Sequence, residues 1–153
     1  MNGVLGDLQD GSFARATAAT ATSYPPERRL SAAQLEAYLG RRTFCVVGPS
    51  RADGRPHAAM SVFVRRGTTF WLPTMAGSMR ERHLRRTPWL TMVVPEGDHP
   101  VHVAVIVEGP AEVLEPAQVP ADVRAAVTAD WVSAWIRLTA ERLLSYADEG
   151  AAL

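Results

Sequence analysis

The sequence predicts a mainly β domain, a small closed barrel of six or seven short strands with three helices outside it. Three observations lead there. Short runs rich in β-branched and aromatic residues recur between Gly-, Pro- and Asp-containing turns over residues 43–114. Helix signals are confined to a few short stretches, two of which open on a capping box. Val132, Ala134, Ile136 and Leu138 alternate with Ser133, Trp135, Arg137 and Thr139, the period of a strand. At 153 residues and 47% apolar composition, the chain suits one domain with one core.

Residues 1–24 are low in complexity and lack an apolar period. They read as a flexible tail, or an arm that orders only against a partner. The folded domain is expected over residues 25–153. Ser31 and Gln34 form a capping box, Leu30 and Leu35 a hydrophobic staple across it, and Gly40 a stop for this first helix. Residues 43–48 make a strand, Asp53-Gly54 a turn, and residues 57–64 a second strand. Arg66-Gly67 turns the chain into Thr69–Leu72, so two antiparallel pairs are expected. Ser78 and Glu81 open a second helix that Pro88 closes. Trp89–Val94 and His102–Val107 follow as strands, and Glu108-Gly109-Pro110 breaks or bulges the sheet before Ala111–Leu114. A third helix is expected over residues 117–130, starting near Pro120.

Several chemistries are excluded early. All sixteen basic residues are arginine, so Schiff-base catalysis and a Walker-type phosphate loop are ruled out. The lone Cys45 sits in an apolar run, which forbids an intrachain disulfide and makes a buried structural thiol the expected role. No apolar run approaches the roughly 20 residues of a membrane span, and residues 1–24 show no secretory pattern. A cytoplasmic protein without a membrane partner is expected. His99 and His102 lie three apart without a second ligand pair nearby in sequence, so no metal is expected. Trp131 and Trp135 are read as core or dimer packing rather than a substrate-stacking wall.

Charge is balanced overall but not along the chain. Residues 41–94 carry a net +8 and residues 95–153 a net −7. This asymmetry implies an anionic ligand, or complementary halves that meet within the fold or a dimer. The basic excess culminates in Thr74-Met75-Ala76-Gly77-Ser78-Met79-Arg80-Glu81-Arg82-His83-Leu84-Arg85-Arg86, four of whose last seven residues are arginine. Here a strand end runs into a helix N-terminus, where free N–H groups and the positive dipole end favour an anion. An exposed, well-capped basic helix accounts equally well for these residues taken alone.

The order of the elements adds a family resemblance. Asp53-Gly54-Arg55-Pro56-His57 entering a strand, then Phe70-Trp71-Leu72-Pro73-Thr74, then Gly77–Pro88, resembles the split-barrel flavin-binding superfamily, the pyridoxamine-phosphate-oxidase-like group that includes deazaflavin-dependent reductases. Val107–Val113 looks like its long bent strand and Arg137–Leu143 like its last strand, so the likeness spans about residues 30–147. It implies a six- to seven-stranded antiparallel split β-barrel and a homodimer, with FMN or the deazaflavin F-420 at the subunit interface. By position, Arg80 and Arg82 would hold the cofactor phosphate, and Ser78 and Met79 would supply donors. His57, Met60, Ser61, Pro73 and Thr74 would line the ring and its chain, and Arg55 would meet an acidic tail. The all-arginine composition favours F-420. In the helix, Arg80 stands where the family often has lysine and His83 where asparagine is common. The family's C-terminal Arg-Leu-x-Pro stretch is missing, which argues against oxidation of pyridoxamine phosphate itself. The resemblance implies an oxidoreductase passing hydride to a small organic acceptor, or a non-catalytic carrier or sensor of the same fold. It names no catalytic residue; His57 is the sole candidate proton donor. Nucleic-acid binding through the arginine-rich helix is disfavoured by zero net charge and the lack of flanking exposed aromatics.

Overall fold

The computed structural model describes residues 3–98 and 100–153, with Asp98 described by its backbone alone. Eight strands form the barrel: β1 Phe44–Gly48, β2 Ala59–Val62, β3 Val64–Arg66, β4 Thr69–Thr74, β5 Trp89–Asp98, β6 Val101–Leu114, β7 Ala134–Thr139 and β8 Arg142–Ala147. Five helices accompany them: α1 Gly3–Ala14, α2 Ala18–Ser23, α3 Ala32–Arg41, α4 Met79–Arg86 and α5 Ala121–Ala125. None is long and apolar enough to cross a membrane.

The strands pair antiparallel in the order β2-β1-β5-β6-β7-β4-β3, with β8 added on β6. The two ends of this path, β2 and β3, are separated in sequence by Phe63 alone. The chain therefore closes the barrel by turning at one residue. Phe63 is buried, its N–H bonds the Thr43 carbonyl at 3.0 Å, and its ring packs on Phe70 at 5.9 Å. This turn divides the expected 57–64 strand in two, and Ala140-Glu141 likewise divides β7 from β8, which raises the expected strand count to eight. The expected break at Glu108-Gly109-Pro110 is instead a change of partners within one long strand. Residues 103–108 of β6 pair with β8, and residues 111–114 pair with β7. Only glycine fits between them, because a Cβ on Gly109 would lie 2.0 Å from the Thr139 carbonyl oxygen.

The core runs through the barrel, with Val47, Leu72, Leu90, Met92, Val105, Val107 and Leu138 all fully buried. A smaller cluster of Trp71, Leu114, Val119, Val123 and Trp135 packs outside it. The Ser31–Gln34 capping box forms as expected, with both reciprocal bonds made, and Leu30 and Leu35 are buried beneath it.

Two expectations fail. The first is the flexible tail: residues 3–14 are helix α1, docked on β8. Leu5 is fully buried, but Gln9 and Ser12 do most of the joining. The Gln9 amide donates to the Leu30 carbonyl at 2.8 Å and accepts from the Ser145 hydroxyl, while Leu143 N–H bonds Ser12 Oγ at 2.9 Å. An apolar-period search misses a helix whose buried face is Leu5, Gly6, Gln9 and Ser12. The second is the helix over 117–130, which reduces to a 3-10 turn at Pro116–Gln118 and the five residues of α5. Beyond Ala126 the segment leaves helical geometry and is pinned elsewhere: Ser133 N–H bonds the Thr74 carbonyl at 3.1 Å, and Ser133 Oγ accepts from Ala76 N–H at 2.9 Å. These ties hold the loop before β7, which carries Trp131, beside the end of β4.

Candidate functional site

A cleft of about 540 Å³ opens where the β4 end and the α4 start face β2. Its walls are Phe44, Ala59, Met60, Val62, Pro73, Met75 and Trp131, and its polar groups are His57, Ser61, Thr74, Ser78 and Arg80. Largely apolar walls with a few convergent polar groups are the usual form of a site for a flat organic ligand.

Helix α4 fixes the polar end. Ser78 accepts from Glu81 N–H at 3.2 Å, as an N-cap should, and its hydroxyl also meets Thr74 Oγ1 at 3.2 Å. The Glu81 carboxylate does not complete a capping box on Ser78. It accepts from Gly77 N–H instead and pairs with Arg85 at 2.9 Å. That backbone bond, with Arg85, holds the buried Glu81 carboxyl below its ordinary range. Two of the donors at the helix start are thus taken, whereas the N–H groups of Met79 and Arg80 have no cap partner among the described residues.

Arg80 turns back across the cleft floor. Its Nη1 donates to Ser61 Oγ at 3.2 Å and its Nη2 to the Met60 carbonyl at 3.0 Å. Burial lowers its pKa, partly opposed by Cys45. No carboxylate pairs with it among the described residues, so a half-buried cation stands at the end of an apolar cleft without a counter-charge. Cys45 is itself buried, and desolvation pushes its thiol up to about 12 against the pull of Arg80, which rules out a reactive thiolate.

Of the residues singled out from the sequence, His57, Met60, Ser61, Pro73, Thr74, Ser78 and Arg80 line this cleft. Three stand apart. Arg55 is exposed on the turn, where Asp53 lies 3.6 Å away. The Met79 side chain is half exposed and outside the cleft. Arg82 does not line the cleft, because two helix positions separate it from Arg80 by about 200° of twist, and its charge is felt by His83 instead. Sequence reasoning missed Phe44, Val62, Met75 and the role of Trp131. Trp135 is core as expected, but Trp131 is 49% exposed and forms a cleft wall. Its four-residue spacing from Trp135 gave no hint, since the two fall on a loop and a strand.

His57 meets His83 edge to face, with ring centroids 5.4 Å apart. Neither His83 nitrogen, nor Nδ1 of His57, has a hydrogen-bond partner among the described residues. Burial, followed by the charges of His57, Arg86, Arg51 and Arg82, holds the His83 imidazole below its usual range. As for metals, His99 lies outside the described residues, and His102 pairs with Asp148 at 2.6 Å. No group of three or more His, Cys, Asp or Glu side chains converges among the described residues.

Solved structures share this architecture. The Mycobacterium tuberculosis protein Rv2991 superposes with a TM-score of 0.66 at 19% identity, over 81% of this chain and 89% of its own. A FAD-binding protein from Mesorhizobium loti gives 0.64 at 20% identity, over 80% and 97%. The haem storage protein HutZ from Vibrio cholerae gives 0.62 at 15% identity, over 75% and 93%. At such identities the likeness is one of fold alone. No curated protein sequence matches the chain significantly. The family profile for pyridoxamine 5'-phosphate oxidase matches residues 31–147, the segment that builds the barrel from α3 to β8, and the chain therefore belongs to that family.

Proposed function

We propose that this protein is an oxidoreductase that holds a flavin-type cofactor, FMN or F-420, in the Arg80 cleft and passes hydride between it and a small organic acceptor. The observation that carries the reading is the unpaired, half-buried Arg80 guanidinium at one end of an otherwise apolar cleft. A phosphate-bearing, flat heteroaromatic group fits that arrangement. Its anion would meet Arg80 and the free N–H groups of Met79 and Arg80, and its ring would lie among Met60, Pro73, Phe44 and Trp131. When bound, the cofactor supplies the hydride chemistry. The chain's own part is to orient the ring, exclude water with apolar walls and leave one ring face open for an acceptor. His57 is the one titratable side chain besides Arg80 on its lining among the described residues.

A homodimer belongs to the same reading. Phe44, Met60, Met75, Met79 and Trp131 are each 49–65% exposed around the cleft mouth, more exposed large apolar surface than one small region of a monomer usually carries. A second copy laid over the mouth would cover it and complete the cleft. The alternative, a carrier or sensor without turnover, keeps the same residues and differs only in lacking an acceptor.

The test is an absorbance and fluorescence titration of the purified protein with FMN and with F-420. Saturable binding of one of them is expected. Arg80→Gln should weaken it by about tenfold to a hundredfold, the worth of a charge-assisted bond pair. The apo-protein should melt almost unchanged, since the two bonds Arg80 makes are offset by the cost of burying its charge. Binding of neither compound overturns the proposal, and tight binding without reduction of any acceptor selects the carrier.

A further inference from the structure

The charge asymmetry of the sequence is only partly neutralised by the fold. Arg41 and Arg42 pair with Glu96, and Arg66 with Asp122, joining the basic and acidic stretches. Arg51, Arg82 and Arg86 pair with no carboxylate among the described residues. They are brought together by two elements. Arg82 and Arg86 are one turn apart on α4. Arg51 opens the loop that the Ser50–Pro56 bridge and the His57 N–H bond to the Pro49 carbonyl (3.0 Å) hold closed. That loop lies against α4 through the His57–His83 contact.

His83, next to Arg82 and three before Arg86 on α4, is 9% exposed, with two buried ring nitrogens and no partner for either among the described residues. Buried polar atoms are almost always hydrogen-bonded, so two orphans on one ring, with a third on the ring it touches, mark a place built for something else. The surrounding charge says what. Three guanidiniums repel a metal ion, the other usual occupant of a histidine pair. Their combined charge also exceeds what one carboxylate could balance, whereas a phosphoryl dianion carries more charge and accepts from several donors at once.

We infer that Arg51, Arg82 and Arg86, with His57 and His83, form a second anion site specific for a phosphoryl group and separate from Arg80. His57 links it to the cleft, so the phosphoryl group belongs either to the far end of a molecule already lying in the cleft or to a second ligand bound beside it. The inference does not rest on the cofactor proposed for the cleft.

Inorganic phosphate is the probe, titrated at constant ionic strength into the full-length protein with the histidine ring nitrogens followed by ¹⁵N NMR. Saturable shifts at both His57 and His83 are expected, absent with chloride. The double variant Arg82→Gln/Arg86→Gln, and separately Arg51→Gln on the other element, should each weaken phosphate at least tenfold. Protein saturated with FMN should still take phosphate if the two sites are distinct. Unchanged histidine signals overturn the inference whether or not FMN binds, and loss of the phosphate response on adding FMN overturns it by showing a single anion site. Phosphate binding without affinity for FMN or F-420 leaves it standing and removes the cofactor reading instead. A fold-changed signal in only one of the two variant classes, with the other like wild type, would also overturn it, because both elements are required.

Discussion

Gly109→Ala tests the hinge on which the barrel depends. The added Cβ would stand 2.0 Å from the Thr139 carbonyl oxygen and 3.1 Å from the Glu141 nitrogen, both backbone atoms that cannot rotate aside. Carbon and oxygen need about 3.3 Å, so β6 and the β7–β8 link must separate by about 1.3 Å. That link is held by Glu141 N–H to the Glu108 carbonyl at 2.9 Å and Ala140 N–H to the Thr68 carbonyl at 3.0 Å. A shift of this size breaks the first bond and weakens the second. A lost backbone bond costs about 1 kcal/mol and overpacking about 1–3 kcal/mol, a total of about 2–4 kcal/mol. For a chain of this length that lowers Tm by about 5–15 °C. Differential scanning calorimetry of the apo-protein reads it directly. A variant melting within about 2 °C of wild type would mean that β6 can change partners without the close approach, and that the hinge argument is wrong.

Other expectations follow from single contacts. Gln9→Ala strands the Ser145 hydroxyl and the Leu30 carbonyl, and should cost about 2 kcal/mol in urea unfolding; an unchanged midpoint would mean α1 is not part of the folded unit. Glu81→Gln should destabilise the protein at neutral pH by about 1 kcal/mol. Because the folded-state pKa of Glu81 is depressed, its contribution is present above the ordinary carboxylate pKa and is lost as pH falls through the folded value. The gap between variant and wild type should therefore close in acid, and a gap constant with pH would contradict the Gly77 bond. Cys45, pushed up to about 12, should resist Ellman's reagent in the native state at mildly alkaline pH and react once the chain is unfolded; rapid native labelling would show that it is accessible. Trp131→Phe should remove a large part of the tryptophan quenching that FMN causes, since Trp131 alone of the four tryptophans lines the cleft; undiminished quenching would place the ligand elsewhere.

What could be read from the sequence alone shares one property: it is local. Strand runs from 43 to 114 follow from β-branched residues between turn signals, and the starts of α3 and α4 follow from their N-cap serines, Ser31 and Ser78. The place of Arg80 at a helix start is legible for the same reason, as is the buried, inert character of Cys45. What only the tertiary structure decided depends on residues distant in sequence. Gln9 meets Ser145 across 136 positions, and its polar character hid α1 from any search for apolar periodicity. Phe44 and Trp131 become cleft walls only when β1 and the loop before β7 are brought beside β4. Arg82 and Arg80, two apart and equally basic, are separated by the helical twist, so that Arg80 lines the cleft and Arg82 does not. Residue type and spacing fix an element's period and its ends. Which side chains then share a space is set by strand pairing and closure, and these gain their energy from contacts that do not exist until the chain has folded.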